Sequence, residues 1–443
     1  MNTALRIVVS VLALFLATAR PVVALENEAV GAAIGHLFTT GQADTGSAGA
    51  NSAIAEIRDF YAARGFKPVW VRDAGPKAKA KALLAELKIS AAHGLSPKFY
   101  RTAEIEALMG SGDPMQLARL DMLLTGAFSE YAADLANGRV TSRVEPSLNA
   151  VEPVAIAVTG FVAKAEQSGN LRELAGGLLA ADERYVRLMA KLAEFVRLEA
   201  SGKWPKIAVD GKPVAAGRSD ARMEKIRLLL ALAGDLDLAL LNGGTVHDEK
   251  TQAAVRAFQS RHGLPATGDI DAATLSEMAT PVARRIAQIR LNLERRRWQN
   301  RELAADHLYI NLADMRARLA RAGREDKFFR VAAQDGLDKL PTFFGQIVAV
   351  KNAGSPDARL VVRSPNLSML AGAAGQETLA IEGFAGLVAG VLDGNAGPNG
   401  ELARPVEVFV TYLTAWANRD GTIEFRPDRF DRDPALAGLL FGQ

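Results

Sequence analysis

Apolar residues recur at three- and four-residue spacing through the first two thirds of the chain, and at two-residue spacing only after residue 300. Ile54, Ile57 and Tyr61 form a helical stripe closed by Gly65, after which Pro68-Val69-Trp70-Val71 reads as extended. Ala80, Leu83, Leu84, Leu87 and Ala91 stripe a helix over Pro76–His93 that stops at Gly94. Asp121–Val140 reads as another helix, and Ala155–Ala200 as a long Ala/Leu-rich helical stretch. Ile226, Leu229, Leu230 and Ala233 fall at helical spacing and end at Gly234. Asp248 is placed to cap a helix whose apolar face is Ala254, Val255 and Phe258, with Gly263 where a left-handed C-cap belongs. Asp271 caps a further helix carrying Leu275 and Met278, and Thr280-Pro281 opens a last one, to Trp298, with Pro at its first position. The period then changes: Leu308, Ile310 and Leu312 alternate, Phe329–Ala332 and LPTFFGQIVAVKN offer partner strands, and Asp420-Gly421 marks a hairpin turn. The pattern predicts an α+β multidomain protein, a mostly helical part carrying an inserted three-helix unit and then a small, mostly-β part.

Met1–Ala24 has the form of a secretory signal. Arg6 precedes an apolar core, Ile7–Ala17, too short to span a bilayer comfortably, and Ala17/Ala19 or Val22/Ala24 offer cleavage sites. An uncleaved anchor is the alternative. Export to the periplasm is expected, with no stable membrane span once the signal is cleaved. The next stretch, 25–50, is rich in Gly, Ala and Thr and reads as a flexible leader.

Hydrophobic residues at 49% and charged residues at 23% indicate a folded chain with more than one core. A net charge of +3, without basic runs interleaved with aromatics, gives no reason to expect nucleic acid. The cysteine count is zero, which excludes disulfides, thiolate metal sites and a cysteine nucleophile together. The five histidines (His36, His93, His247, His262, His307) are scattered without ligand spacing, so neither a metal nor a cofactor is expected. His93 and His262 each precede a Gly that ends a helix, where a polar or positive group suits the last carbonyls. Asp420 and Asp428 flank a hairpin, and turn chemistry accounts for the first, so no carboxylate pair for glycan cleavage is assigned.

AVRAFQSRHGLPATGDIDAATL resembles the small helical peptidoglycan-binding domain of cell-wall enzymes, with Thr267 where an Asp usually precedes the glycine. The resemblance implies peptidoglycan as partner. Gln259, Arg261 and His262, beside the turn that follows the helix, are candidates for hydrogen bonds to a glycan or stem peptide; local satisfaction of the helix end is the competing reading.

Three further motifs, Phe60-Tyr61 with Arg64, Pro68 and Trp70, then His93-Gly94-Leu95 with Pro97 and Tyr100, then Asp121–Val140 with Asp134-Leu135 and Gly138-Arg139, resemble the scaffold domain of the large murein L,D-transpeptidases. HLYINL, the Leu340-Pro341-Thr342-Phe343 turn and Arg404–Asp433, with TYLTAW, resemble that family's catalytic sheet. The implied organisation is a signal (1–24), leader (25–50), helical scaffold domain (51–221), peptidoglycan-binding-like domain (222–280), connector helix (281–300) and a reduced, degenerate L,D-transpeptidase-like β domain (301–443).

A working member carries a Ser-His-Gly-Cys motif followed by Arg, whose thiolate, activated by a histidine, forms a thioester with the peptide. The nearest echo is Ala358–Gly372, where Arg363-Ser364-Pro365 stands at the tail and the Cys position falls near Arg359–Val361. The last histidine is His307. Ser355, Ser364 and Ser368 remain, with Lys351 the only nearby amine, so no catalytic residue is assigned. The resemblance thus implies an exported, peptidoglycan-binding, non-catalytic relative working in cell-wall organisation. Two alternatives stand beside it: an active enzyme with a substituted nucleophile, and a regulatory partner of a true transpeptidase or other envelope protein. Arg295-Arg296-Arg297 offers a grip for an anion, against a solvated face paired to Glu294 and Glu302.

Overall fold

The computed structural model describes residues 27–45, 51–179, 182–209, 212–242, 244–299, 301–322, 324–330, 340–353, 359–364, 378–382, 391, 395–426 and 432–441. The expected signal segment, Ser355, Ser368 and Asp428 lie outside them. The chain forms two compact units, one of Met1–Ser90, Ser96–Ala132 and Ile156–Ala175, the other of Ala91–Leu95, Ala133–Ala155 and Gly176–Gln443. The stretch 51–221, expected as one helical domain, is therefore divided between them.

The first unit begins with α1 (Glu28–Thr39), inside the stretch read as a flexible leader. Val30, Ala33, Ile34 and Leu37 are buried along one stripe, and the Asp73 carboxylate accepts from the first turn at Val30 N (3.0 Å). That cap from distant sequence is what a composition-based reading misses. α2 (Asn51–Ala63), the short hairpin of β1 (Val71–Arg72) and β2 (Gly75–Pro76), α3 (Ala78–Ile89) and α4 (Thr102–Leu108) follow. α5 (Pro114–Asn137) contributes its residues to Ala132. α6 (Val158–Gln167) and α7 (Leu171–Gly176) complete this part of the chain.

Asp121, fully buried on α5, ties the unit together. Its oxygens accept from the backbone N–H of Val69 (3.0 Å), Trp70 (2.6 Å) and Val71 (3.0 Å) and from Tyr61 Oη (2.6 Å). Trp70 Nε1 adds a bond to Thr125 Oγ1 at 3.0 Å. Val71 opens β1, yet its N–H and those of Val69 and Trp70 all go to Asp121, so one carboxylate takes the place of a sheet edge on this side.

The second unit holds α8 (Glu183–Ser201), the helices α9 (Met223–Leu232), α10 (Glu249–Arg261) and α11 (Ala272–Met278), then α12 (Val282–Trp298). Ala155–Ala200, read as helical, holds α6, α7 and nearly all of α8, and Pro281 stands one place earlier than expected, as the N-cap of α12.

A mixed sheet of seven strands follows: β3 (His307–Asn311), β4 (Arg316–Arg321), β5 (Arg324–Arg330), β6 (Phe343–Lys351), β7 (Arg359–Arg363), β8 (Thr378–Glu382) and β9 (Glu401–Thr411), in the order β5-β4-β3-β9-β6-β7-β8. β3 and β9 pair parallel and every other neighbour antiparallel. β10 (Ala415–Ala417) and β11 (Ile423–Phe425) form a separate hairpin, and α13 (Arg432–Phe441) ends the described chain. Alternation sorts the sheet: Leu308, Ile310, Leu319, Val408 and Val410 enter an aliphatic core, while Tyr309 and Phe409 take the other face.

α12 is enclosed. Ile286, Ile289 and Leu293 pack on Tyr185, Leu188, Leu192 and Phe195 of α8, and Leu291 and Trp298 pack with Val140, Leu148 and α13. Its arginine run is not the solvated face expected. Arg295, Arg296 and Arg297 are all buried, and Arg297 pairs with the buried Glu294. Over Leu291–Trp298 the helix has no exposed face to offer its charges, so the guanidiniums are taken out of bulk water.

Candidate functional site

The helical unit α9–α11 has its own core of Ile226, Leu229, Leu230, Val255, Phe258, Leu275 and Met278. Asp248 and Asp271 cap α10 and α11 by accepting from Thr251 N (2.9 Å) and Thr274 N (2.7 Å), as their positions predict. The bonds to Thr251 and to Arg227 outweigh burial and hold the Asp248 carboxyl down at about 2. Gly263, at φ +71°, takes the left-handed position after α10.

The three residues singled out for wall contact all turn inward. Gln259 is 1% exposed; its Nε2 donates to Asp269 O (2.7 Å) and Thr274 Oγ1 (3.0 Å) and its Oε1 accepts from Gly268 N (2.8 Å). Arg261 Nε donates to Asp235 Oδ1 (2.9 Å), and its Nη atoms reach Asp235 and the Ile423 carbonyl. His262 stacks on Phe258 at 3.8 Å, and its Nδ1 lies 2.7 Å from Phe258 O. Burial, with Arg285 and Arg261 nearby, drives its pKa well below the usual range, so the ring is neutral and Nδ1 donates. The polar reading of this helix end holds, without a positive charge.

His93 is also held neutral rather than as a cation. Arg297 Nη1 donates to Tyr185 Oη (3.0 Å) and to His93 O (2.8 Å), and Tyr185 Oη lies 3.1 Å from His93 Nδ1. Burial and the Arg297 charge lower its pKa to about 4.

In the sheet, Arg359–Val361, where a nucleophile would fall by resemblance, lies along β7 opposite Lys351, Val350 and Ala349. Ser364 is buried and donates to Phe344 O at 2.7 Å. The ladder sets Gln346 opposite Arg363 and Lys351 opposite Arg359, which puts Ser364 about 16 Å along the sheet from Lys351 at about 3.3 Å per residue. His307 opens β3, its Nδ1 2.7 Å from Ala304 O. The described residues bring none of these groups together as a nucleophile and base.

Sequence reasoning passed over a cluster on the second face of the sheet. Tyr309 on β3 stands directly opposite Arg318 on β4, and Asn311 opposite Arg316. With Arg184 and Arg187 of α8 and Arg296 of α12 they line a pocket of about 300 Å³. The signal was present in RARLAR, Arg316–Arg321, whose alternation sets Arg316 and Arg318 on one face.

Comparison with known families gives two matches. Residues 55–192 match the family model described as "Scaffold domain", and residues 223–278 match the one described as "Putative peptidoglycan binding domain". The second match coincides with α9–α11 and their core. No curated protein matches the chain. The two matches support a cell-wall-related, scaffold-type protein. No helix among the described residues is long and apolar enough to cross a membrane.

Proposed function

We propose that this is an exported peptidoglycan-binding protein, related to the murein L,D-transpeptidases, that serves cell-wall organisation without transferring peptides. The observation that carries the reading is the peptidoglycan-binding match at 223–278, seated on helices with their own closed core. The non-catalytic half is supported by chemistry. The chain has no cysteine, its last histidine faces the Ala304 carbonyl, and Ser364 is bound to a carbonyl far from Lys351.

A wall contact through Gln259, Arg261 or His262 would require bonds inside the unit to open. The outer surfaces of α9–α11 are the better candidates. Two experiments test the proposal. The purified chain should co-sediment with sacculi and be released by soluble muropeptides; failure to bind refutes the first half. Incubated with tetrapeptide muropeptides it should leave the product profile unchanged; a cross-linked product, or a covalent adduct with a carbapenem, refutes the second.

A further inference from the structure

The pocket beneath α8 and α12 is walled mostly by positive charge. Six arginines line it, Arg184, Arg187, Arg296, Arg316, Arg318 and Arg419, against one lining carboxylate, Asp314. Two more carboxylates reach these arginines: Asp182 accepts from Arg296 Nη1 (2.8 Å), and Glu183 pairs with Arg187 (3.1 Å). Asp314 lies 3.9 Å from Arg316, and the neighbouring Glu424 is paired with Arg426 at 2.8 Å. Among the described residues that line the pocket, guanidiniums outnumber carboxylates six to one. Like charges converging in a concave site repel one another, a cost that is offset when an anion enters.

Two buried donors point to the same conclusion. Tyr309 is 5% exposed, and its Oη has no hydrogen-bond partner among the described residues. Arg296, 8% exposed, likewise has an unpartnered Nε. Burial raises the Tyr309 pKa against the opposing charges of Arg296, Arg318 and Arg184, so the phenol keeps its proton and is a donor. The Arg318 guanidinium lies 4.8 Å over the Tyr309 ring. An unsatisfied buried hydroxyl among guanidiniums is costly in a closed protein and useful in a binding site.

We infer that this pocket binds a small ligand carrying two or more oxyanion groups, one of them accepting from Tyr309 Oη and Arg296 Nε. Two or more are expected because a second cavity, of about 390 Å³, shares Arg184 and Arg296 as its wall and adds Arg297 and Arg301 against the carboxylates Asp182 and Glu302. Guanidinium forks suit carboxylates and phosphates alike, so an acidic peptide and a phosphate ester share this chemistry. The inference is independent of the wall-binding reading, since none of these residues lies in 223–278.

Calorimetric titration of the full chain tests it with three probes: pyrophosphate, a glutamyl-glutamate dipeptide, and that dipeptide with every carboxylate amidated. One or both acidic probes should bind, with affinity falling steeply as salt rises, and the amidated dipeptide should not. Binding of pyrophosphate alone assigns a phosphate ester, and of the dipeptide alone an acidic peptide; either supports the site. Tyr309→Phe keeps the ring under Arg318 and should weaken binding about tenfold or more, the scale of one hydrogen bond to a charged group. Arg419→Gln, at an exposed position, should weaken it while leaving the fold intact. Without ligand, Tyr309→Phe should melt no lower than wild type, because its hydroxyl has no bond to lose. No binding of either acidic probe at low salt, equal binding of the amidated form, or indifference to both variants overturns the inference.

Discussion

Acid should weaken this protein through His93 once the pH falls below about 6.5. Arg297 donates to Tyr185 Oη, which lies 3.1 Å from His93 Nδ1 and donates to it in the tautomer that leaves Nδ1 bare. Burial and Arg297 hold the His93 pKa at about 4, against 6.5 for a free histidine. The folded state therefore resists a proton that the unfolded chain takes up. Stability is full above about pH 6.5 and falls as the pH drops toward 4. Linkage over that span gives up to about 3 kcal/mol, and about 2 kcal/mol by pH 4.5 once partial solvent contact of the ring is counted. His262, also buried and neutral, acts in the same direction. A comparison with His93→Gln cancels that share, since both proteins contain His262. Glutamine keeps an acceptor for Tyr185 but does not titrate. Urea unfolding followed by tryptophan fluorescence at pH 7, 6, 5 and 4.5 should show wild type losing stability more steeply than His93→Gln by about 2 kcal/mol. Parallel loss in the two proteins refutes the reasoning.

Other perturbations give equally direct outcomes. Asp121→Ala strands three backbone N–H groups and leaves Tyr61 Oη with Thr125 alone, and should cost at least about 3 kcal/mol in urea unfolding; a loss below about 1 kcal/mol would show that the node is not what holds the segment. Gly138→Ala places a Cβ 2.6 Å from Glu294 Oε1 and 2.7 Å from the Trp298 ring at φ +76°, and should cost about 2–4 kcal/mol. An unchanged melting temperature contradicts it. Asp248→Ala removes the cap of α10 and an anion beside the buried Arg227, and should cost about 1 kcal/mol or more. Because the Asp248 carboxyl is held down at about 2, its contribution is present above about pH 4 and fades toward pH 2; circular dichroism of wild type and variant over that range measures the difference.

The parts legible in the sequence are those decided locally. Asp248, Asp271 and Gly263 sit where their own side-chain reach and backbone freedom place them, and the alternation of Leu308, Ile310 and Leu312 yields β3. The misread parts depend on what lies opposite. The arginines of α12 look solvated until α8, the sheet and α13 close around them, and α1 looks like leader until Asp73 meets its first turn. Gln259, Arg261 and His262 read as offered donors because their acceptors, Asp269 O, Asp235 and Phe258 O, become neighbours only in the folded chain. The Tyr309–Arg318 pairing was hidden for a related reason: alternation gives the face, and register alone gives the partner.

The position of β9 has a consequence for how the chain acquires its shape. It lies between β3 and β6, yet its partner His307 precedes Glu407 by a hundred positions. Until Glu401–Thr411 arrives, the strands before it can form only two separate three-stranded ribbons, each with an open inner margin. A nascent chain must therefore keep both ribbons apart from other exposed backbones while it waits. A truncation short of Glu401 would leave two sticky halves rather than a smaller working sheet.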